Sequence, residues 1–202
     1  MLENPQSIIS KIISYLKETI PLHMTDPGSR FHVLNRKDPN AFWAIARSGL
    51  IAGTLDILTA IAVYSWIMNR TTAVKILQGI ASGVIGKKAF EGGTRMAITG
   101  LFLHYSIAFI FAIFYFIIYP MFPPLKKNWV ISGLVYGIGV WVVMNLMVRP
   151  LVFPDYQLPK WDSIALGMGI LMIMIGLPIA FITHKYYYNK NHIARNPANI
   201  HT

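Results

Sequence analysis

The chain has 202 residues, of which 54% are hydrophobic and only 13% charged, and its mean hydropathy is +0.49. A soluble domain carries about 25% charged residues, so this composition excludes an ordinary water-soluble domain; the absence of cysteine excludes disulfides, thiol catalysis and thiolate metal sites. The net charge of +10 does not read as a nucleic-acid face, because the Lys and Arg residues fall in the gaps between apolar runs, where membrane orientation puts them.

In chain order, residues 5–20 ("PQSIISKIISYLKETI") come first. Ile8, Ile9, Ile12, Ile13, Leu16 and Ile20 recur at helical spacing opposite a polar face. Asn4 suits an N-cap and Pro5 the first helical position. The stripe is too interrupted to cross a bilayer. An amphipathic helix lying on the membrane fits it, as does one docked on another protein or on the loops. Residues 21–41 hold two Asp-Pro pairs and read as loop. No leader with an apolar core and a small-residue cleavage site is evident, so the first span is expected to act as its own insertion signal.

Four apolar runs follow, at about Trp43–Met68, Met96–Tyr119, Val130–Val148 and Ile164–Thr183. Each is long enough for about 30 Å of hydrocarbon at about 1.5 Å per residue. Pro178 predicts a kink in the fourth. Trp43, Trp66, Tyr119, Trp129 and Trp161 flank the runs as an aromatic belt would. Between the first two runs, Ile76–Ile85 is too short to cross and predicts a re-entrant or interfacial helix. The expected organisation is an all-α integral membrane bundle. It has an N-terminal helix and loop over 1–41, a four-span domain over 42–184 and a polar tail over 185–202. Four spans put both termini on one face. Arg70, Lys75, Lys87, Lys88, Arg95, Arg149 and Lys160 fall on the opposite face, and the other 11 of the 18 Lys and Arg on the termini face. That bias predicts cytoplasmic termini.

Two apparent motifs fail. "ASGVIGKK" (Ala81–Lys88) lacks the first Gly and the final Ser or Thr of a phosphate-binding loop, and no strand precedes it. His184, His192 and His201 are irregularly spaced near the C-terminus and do not form a metal motif. No catalytic motif, metal site or cofactor is expected.

One carboxylate lies inside a span. A charge at mid-bilayer costs about 2.5–3.5 kcal/mol on insertion scales, so Asp56 is expected to face protein or a cavity. Gly49, Gly53, Asp56 and Ala60 share one stripe of the first span, and Gly49/Gly53 form a close-packing pair. The second span places His104 among Ala97, Gly100 and Ala108; the third places Asn145 in line with Gly133, Gly137 and Trp141. Asp56 lies about 18 Å and His104 about 12 Å from the far ends of their spans, a difference within side-chain reach. Asp56, His104 and Asn145 therefore predict a polar set in the bundle interior. Its alternatives are interhelical hydrogen bonding, a proton or ligand relay, or contact with a partner subunit. The pairs Gly79/Gly83 and Gly133/Gly137 offer interfaces for a homodimer.

The segments "GLIAGTLDILTA", "ILQGIASGVIGKKAFEGG", "GLFLHYSIAF", "YGIGVWVVMNLMVRPL" and "GLPIAF" together resemble an uncharacterised family of small bacterial multi-pass membrane proteins, over about residues 45–182. The resemblance implies a bacterial cytoplasmic membrane and carries over no catalytic or binding residue. The expected function is to bind or move a small solute or a proton, or to serve as a subunit of a membrane complex. The rival is a membrane enzyme acting on a lipid or quinone-like substrate, with His104 as acid or base and Asp56 assisting. Lipid bilayer is the expected partner, and nucleic acid is not.

Overall fold

The computed structural model describes residues 39–153 and 156–195. The amphipathic stretch at residues 5–20 lies outside them. The described residues are helical, without strands. They form α1 (Pro39–Ile61), α2 (Ala73–Ile85), α3 (Gly93–Ile118), α4 (Pro123–Lys127), α5 (Trp129–Val142), α6 (Arg149–Val152), α7 (Trp161–Leu171) and α8 (Leu177–Arg195). Three wider π stretches extend α1 (Ala62–Ile67), join α5 to α6 (Val143–Val148) and join α7 to α8 (Met172–Gly176).

Four continuous helices are long and apolar enough to cross a membrane: Asn40–Ile67, Gly93–Ile118, Trp129–Val152 and Trp161–Lys190. These are the four expected spans, each extended by a few residues. The fourth helix runs on through the expected polar tail to Arg195. Large apolar side chains point outward along it and its fellows, among them Leu50, Leu58, Phe102, Ile110, Val135 and Ile173, as lipid contact demands.

Local chemistry sets the helix ends. Thr72 caps α2 by accepting from the Lys75 amide at 3.3 Å. Asn128 caps α5, its Oδ1 accepting from Val130 at 2.9 Å and Ile131 at 3.2 Å. Gly86, at φ 77°, ends α2 in a conformation that costs other residues energy. Two of the π stretches precede a proline by two residues. Pro178 and Pro150 offer no amide to the carbonyls of Met174 and Leu146, and both of those residues lie within the widened turns. The irregularity expected at Pro178 thus appears as π winding at Met172–Gly176.

Small residues bring the helices together. A Cβ on Gly49 would meet the Phe109 ring at 2.5 Å, and one on Gly53 would meet Tyr105 at 3.0 Å, so the first span lies against the second through these glycines. Gly133 and Gly137 lie against Gly176, Met172 and the Leu171 carbonyl of the fourth span. That pair is used within the chain and is not open to a second copy, which corrects the expectation of a dimer interface there. A Cβ on Gly83 would meet Val152 at 3.4 Å, whereas one on Gly79 meets nothing within 4 Å. Gly79 is therefore not a packing glycine within one chain, because α2 turns Leu77 and Ala81 toward the second span instead. There α2 crosses the first two turns of α3: Gly100 sits directly on the Leu77 carbonyl, and Gln78 Nε2 donates to the Gly93 carbonyl at 3.0 Å.

One end of the bundle is tied by tyrosines. Tyr115 shares a hydrogen bond with Ser132 at 2.5 Å, and Tyr136 donates to the Phe111 carbonyl at 2.6 Å. Tyr119 bonds His184 Nδ1 at 2.7 Å and stacks on Tyr187, whose hydroxyl donates to the Phe116 carbonyl at 3.3 Å. These contacts close the termini end of the second, third and fourth spans over a core of Ala52, Ala112, Val140, Ile175 and Ile179. Tyr119 is 2% exposed. It is a core residue and not a member of the boundary belt that its position predicted, because His184 gives its hydroxyl a partner inside. Trp66 and Trp161, by contrast, are 78% and 85% exposed at the opposite end.

Candidate functional site

Opposite the tyrosine end, the bundle opens. A cleft of about 630 Å³ lies between the first, third and fourth spans, a size within the range of about 300–1,000 Å³ typical of ligand pockets. Asp56, Ala60 and Tyr64 border it from one stripe of the first span. Trp141, Asn145 and Arg149 border it from the third, and Ser163, Gly167 and Leu171 from the fourth. Arg70, Tyr156, Gln157 and Pro159 complete its rim. Each of these three spans contains π turns next to the cleft, and the second span, which does not border it, has none. Widened winding shifts side chains off the regular helical faces and is frequent at functional sites.

Depth follows from the paired spans. Tyr115 meets Ser132 and the Phe111 carbonyl meets Tyr136, so the antiparallel second and third spans bring His104 level with about residue 143. His104 meets the first span at Gly53, whose carbonyl accepts from His104 Nε2 at 2.8 Å. A carbonyl only accepts, so the ring carries a proton on Nε2. The Asp56 carboxylate lies within electrostatic reach of that imidazole. Asp56, His104 and Asn145 therefore share a depth to within about one turn.

The three residues are nevertheless not one cluster. Asp56 and Asn145 face the cleft. His104 stands behind Asp56, holding the first span to the second, and does not border the cleft. Thr54 and Tyr105 add a second tie beside it, their hydroxyls 2.8 Å apart. None of the described residues donates a hydrogen bond to Asp56, whose side chain is partly exposed to the cleft.

Asn145 organises the upper half of the site. It is 9% exposed, and its Nδ2 donates to the Trp141 carbonyl at 3.0 Å. That bond fixes the amide so that Oδ1 faces the rim. There it accepts from Arg149 Nη1 at 3.1 Å and from the Tyr156 hydroxyl at 3.4 Å. The Arg149 guanidinium also lies 4.8 Å over the Tyr156 ring, a cation–π contact. Arg149 is thus held over the cleft by two groups, the Asn145 amide oxygen and the Tyr156 ring, while its outer face stays exposed.

Sequence reasoning grouped Asp56, His104 and Asn145 in the bundle interior; the cleft takes in Asp56 and Asn145 without His104, and adds Arg149, Tyr156, Tyr64 and Arg70, which that reasoning did not single out. Arg149 carried a legible signal, since it follows Asn145 by four residues on one helical face. Tyr156 carried none, because it sits in a connection whose path the residue pattern does not fix. Among the described residues, no three His, Asp or Glu side chains gather closely enough to hold a metal ion.

Family models, curated proteins and solved structures yield no match to this chain.

Chemically, the arrangement offers a carboxylate at mid-span depth, an amide beside it and two guanidinium groups at the rim. The His104 imidazole donates to the Gly53 carbonyl and does not border the cleft.

Proposed function

We propose that this protein is a solute-binding bundle of a bacterial cytoplasmic membrane. Its cleft takes a small polar solute from the face opposite the termini. The observation that carries this reading is one cleft that joins Asp56, at mid-span, to Asn145 and Arg149 beneath an open rim. A carboxylate at that depth costs several kcal/mol to insert. Interhelical bonding does not account for it, since no described residue hydrogen-bonds to it and the helix ties beside it are made by His104, Thr54 and Tyr105. The Lys and Arg bias supports cytoplasmic termini, which would turn the cleft outward. The lipid-facing surface supports the bilayer as the standing partner. Four spans without an evident repeat support binding or gating over alternating-access transport by one copy.

The test is thermal unfolding of the purified chain in mild detergent against a panel of small anions, cations, zwitterions and neutral polar solutes. A ligand at about 100 times its Kd stabilises by about 2.7 kcal/mol. At least one solute is expected to raise the melting temperature of the natural protein, and Asp56→Asn is expected to lose most of that rise. Identical responses of the two proteins to every solute would remove Asp56 from the site.

A further inference from the structure

The cleft carries fixed charge of both signs at different depths. Asp56 is the carboxylate at its inner end, and no described residue donates to it. Arg149 is the cation above, already aimed by Asn145 Oδ1 and the Tyr156 ring. The two do not neutralise one another through a direct contact. Their backbones differ in depth by about one helical turn, on the order of 5 Å, and the guanidinium is turned toward Asn145 Oδ1 and the Tyr156 ring. A guanidinium presents a fork of donors matched to a carboxylate or phosphate. A partly desolvated carboxylate is matched by an ammonium group, which donates three hydrogen bonds and cancels its charge. Neither an anion nor a cation alone satisfies both ends.

We propose that the ligand is a small zwitterion, with an ammonium group toward Asp56 and a phosphate or carboxylate toward Arg149. This rests on the solute-binding reading above and adds the charge pattern of the ligand. A free solute and a lipid headgroup both present that pattern. Ala60, Trp141 and Gly167 also border the cleft and give its wall apolar or small surface, which suits the short carbon link of such a molecule.

The experiment compares each zwitterion with its one-charge analogues on the full chain in detergent: O-phosphoethanolamine against inorganic phosphate and ethanolamine, and β-alanine against propionate. At least one zwitterion is expected to bind tenfold or more tightly than its anion-only analogue. Asp56→Asn is expected to bring that pair to within about twofold, Asp56→Glu to retain the preference, and Arg149→Gln to weaken zwitterion and anion alike. A parallel arm reconstitutes the chain with phosphatidylethanolamine in phosphatidylglycerol, or with phosphatidylglycerol alone. A higher melting temperature with phosphatidylethanolamine identifies the headgroup as the source; tight binding of the free compound identifies the solute. Equal binding of both zwitterions and their anions to the natural protein overturns the proposal, since Asp56 would then be balanced by His104, and it leaves the cleft reading intact. No binding by any probe in this set or in the wider panel overturns both.

Discussion

Adding a single methyl group at Gly137 tests the packing that shapes the cleft. A Cβ there would lie 2.8 Å from the Leu171 carbonyl oxygen, closer still to Met172 Cα, and ordinary contact begins at 3.4 Å. The third and fourth spans must therefore part by at least 0.6 Å at this point, the difference between those distances. The obstruction is backbone and cannot rotate away. Overpacking of this kind costs about 1–3 kcal/mol, against a gain of up to about 1 kcal/mol for alanine over glycine in a helix. Gly139 is the internal control. It lies two residues further along the same helix, and a Cβ there meets nothing within 4 Å. Gly139→Ala is expected to be neutral or slightly stabilising, so the two variants should differ by about 1–3 kcal/mol. For a chain of this length that is on the order of 5 °C in melting temperature. The assay is thermal unfolding of both variants in the same detergent, read by loss of the monodisperse peak. Equal melting temperatures would refute the close third–fourth span contact.

Further expectations concern the tyrosine end. A double-mutant cycle on Tyr115→Phe and Ser132→Ala is expected to give a coupling of about 0.6 kcal/mol, and at most about 1.7 kcal/mol, the range for hydrogen bonds inside helical bundles; additivity of the two losses would show that the 2.5 Å contact contributes nothing. Burial, reinforced by the neighbouring Tyr115, pushes the Tyr119 phenol up to about 12, from an ordinary value of about 10. The folded state therefore favours the neutral phenol. Its contribution is complete below about pH 10 and is lost as pH rises toward about 12. The melting temperature of the natural protein should fall more steeply across that window than that of Tyr119→Phe, and parallel curves would contradict the burial.

Much of the bundle was legible because a bilayer imposes simple rules. About 20 apolar residues must run without interruption, and the four runs did so within a few residues of the helices found. Asp56 was legible for the same reason, since an intramembrane carboxylate needs a purpose. The partners were not. Gly133 and Gly137 announced a close contact, but a small-residue pair does not say which helix it meets, and the fourth span met it instead of a second copy. Tyr119 looked like a boundary residue until His184, on a helix longer than its hydropathy suggested, supplied a bond inside. The cleft itself depends on where the first span parts from the third and fourth, and on π turns at Ala62–Ile67 and Val143–Val148. Neither is encoded in hydrophobic period. Two prolines, Pro150 and Pro178, hinted at irregular winding; nothing comparable marks the first span.

Because the chain contains no cysteine, a single thiol can report the cleft directly. Ala60→Cys places it one turn above Asp56, on the cleft wall. Val140→Cys places one at a site 3% exposed in the core as a reference. In sealed vesicles of known orientation, a membrane-impermeant maleimide is expected to label the Ala60 thiol only from the face opposite the C-terminal tail, far faster than the Val140 thiol. Labelling of Ala60→Cys from the tail face, or at no more than the Val140 rate from either face, would contradict a water-filled cleft leading to Asp56.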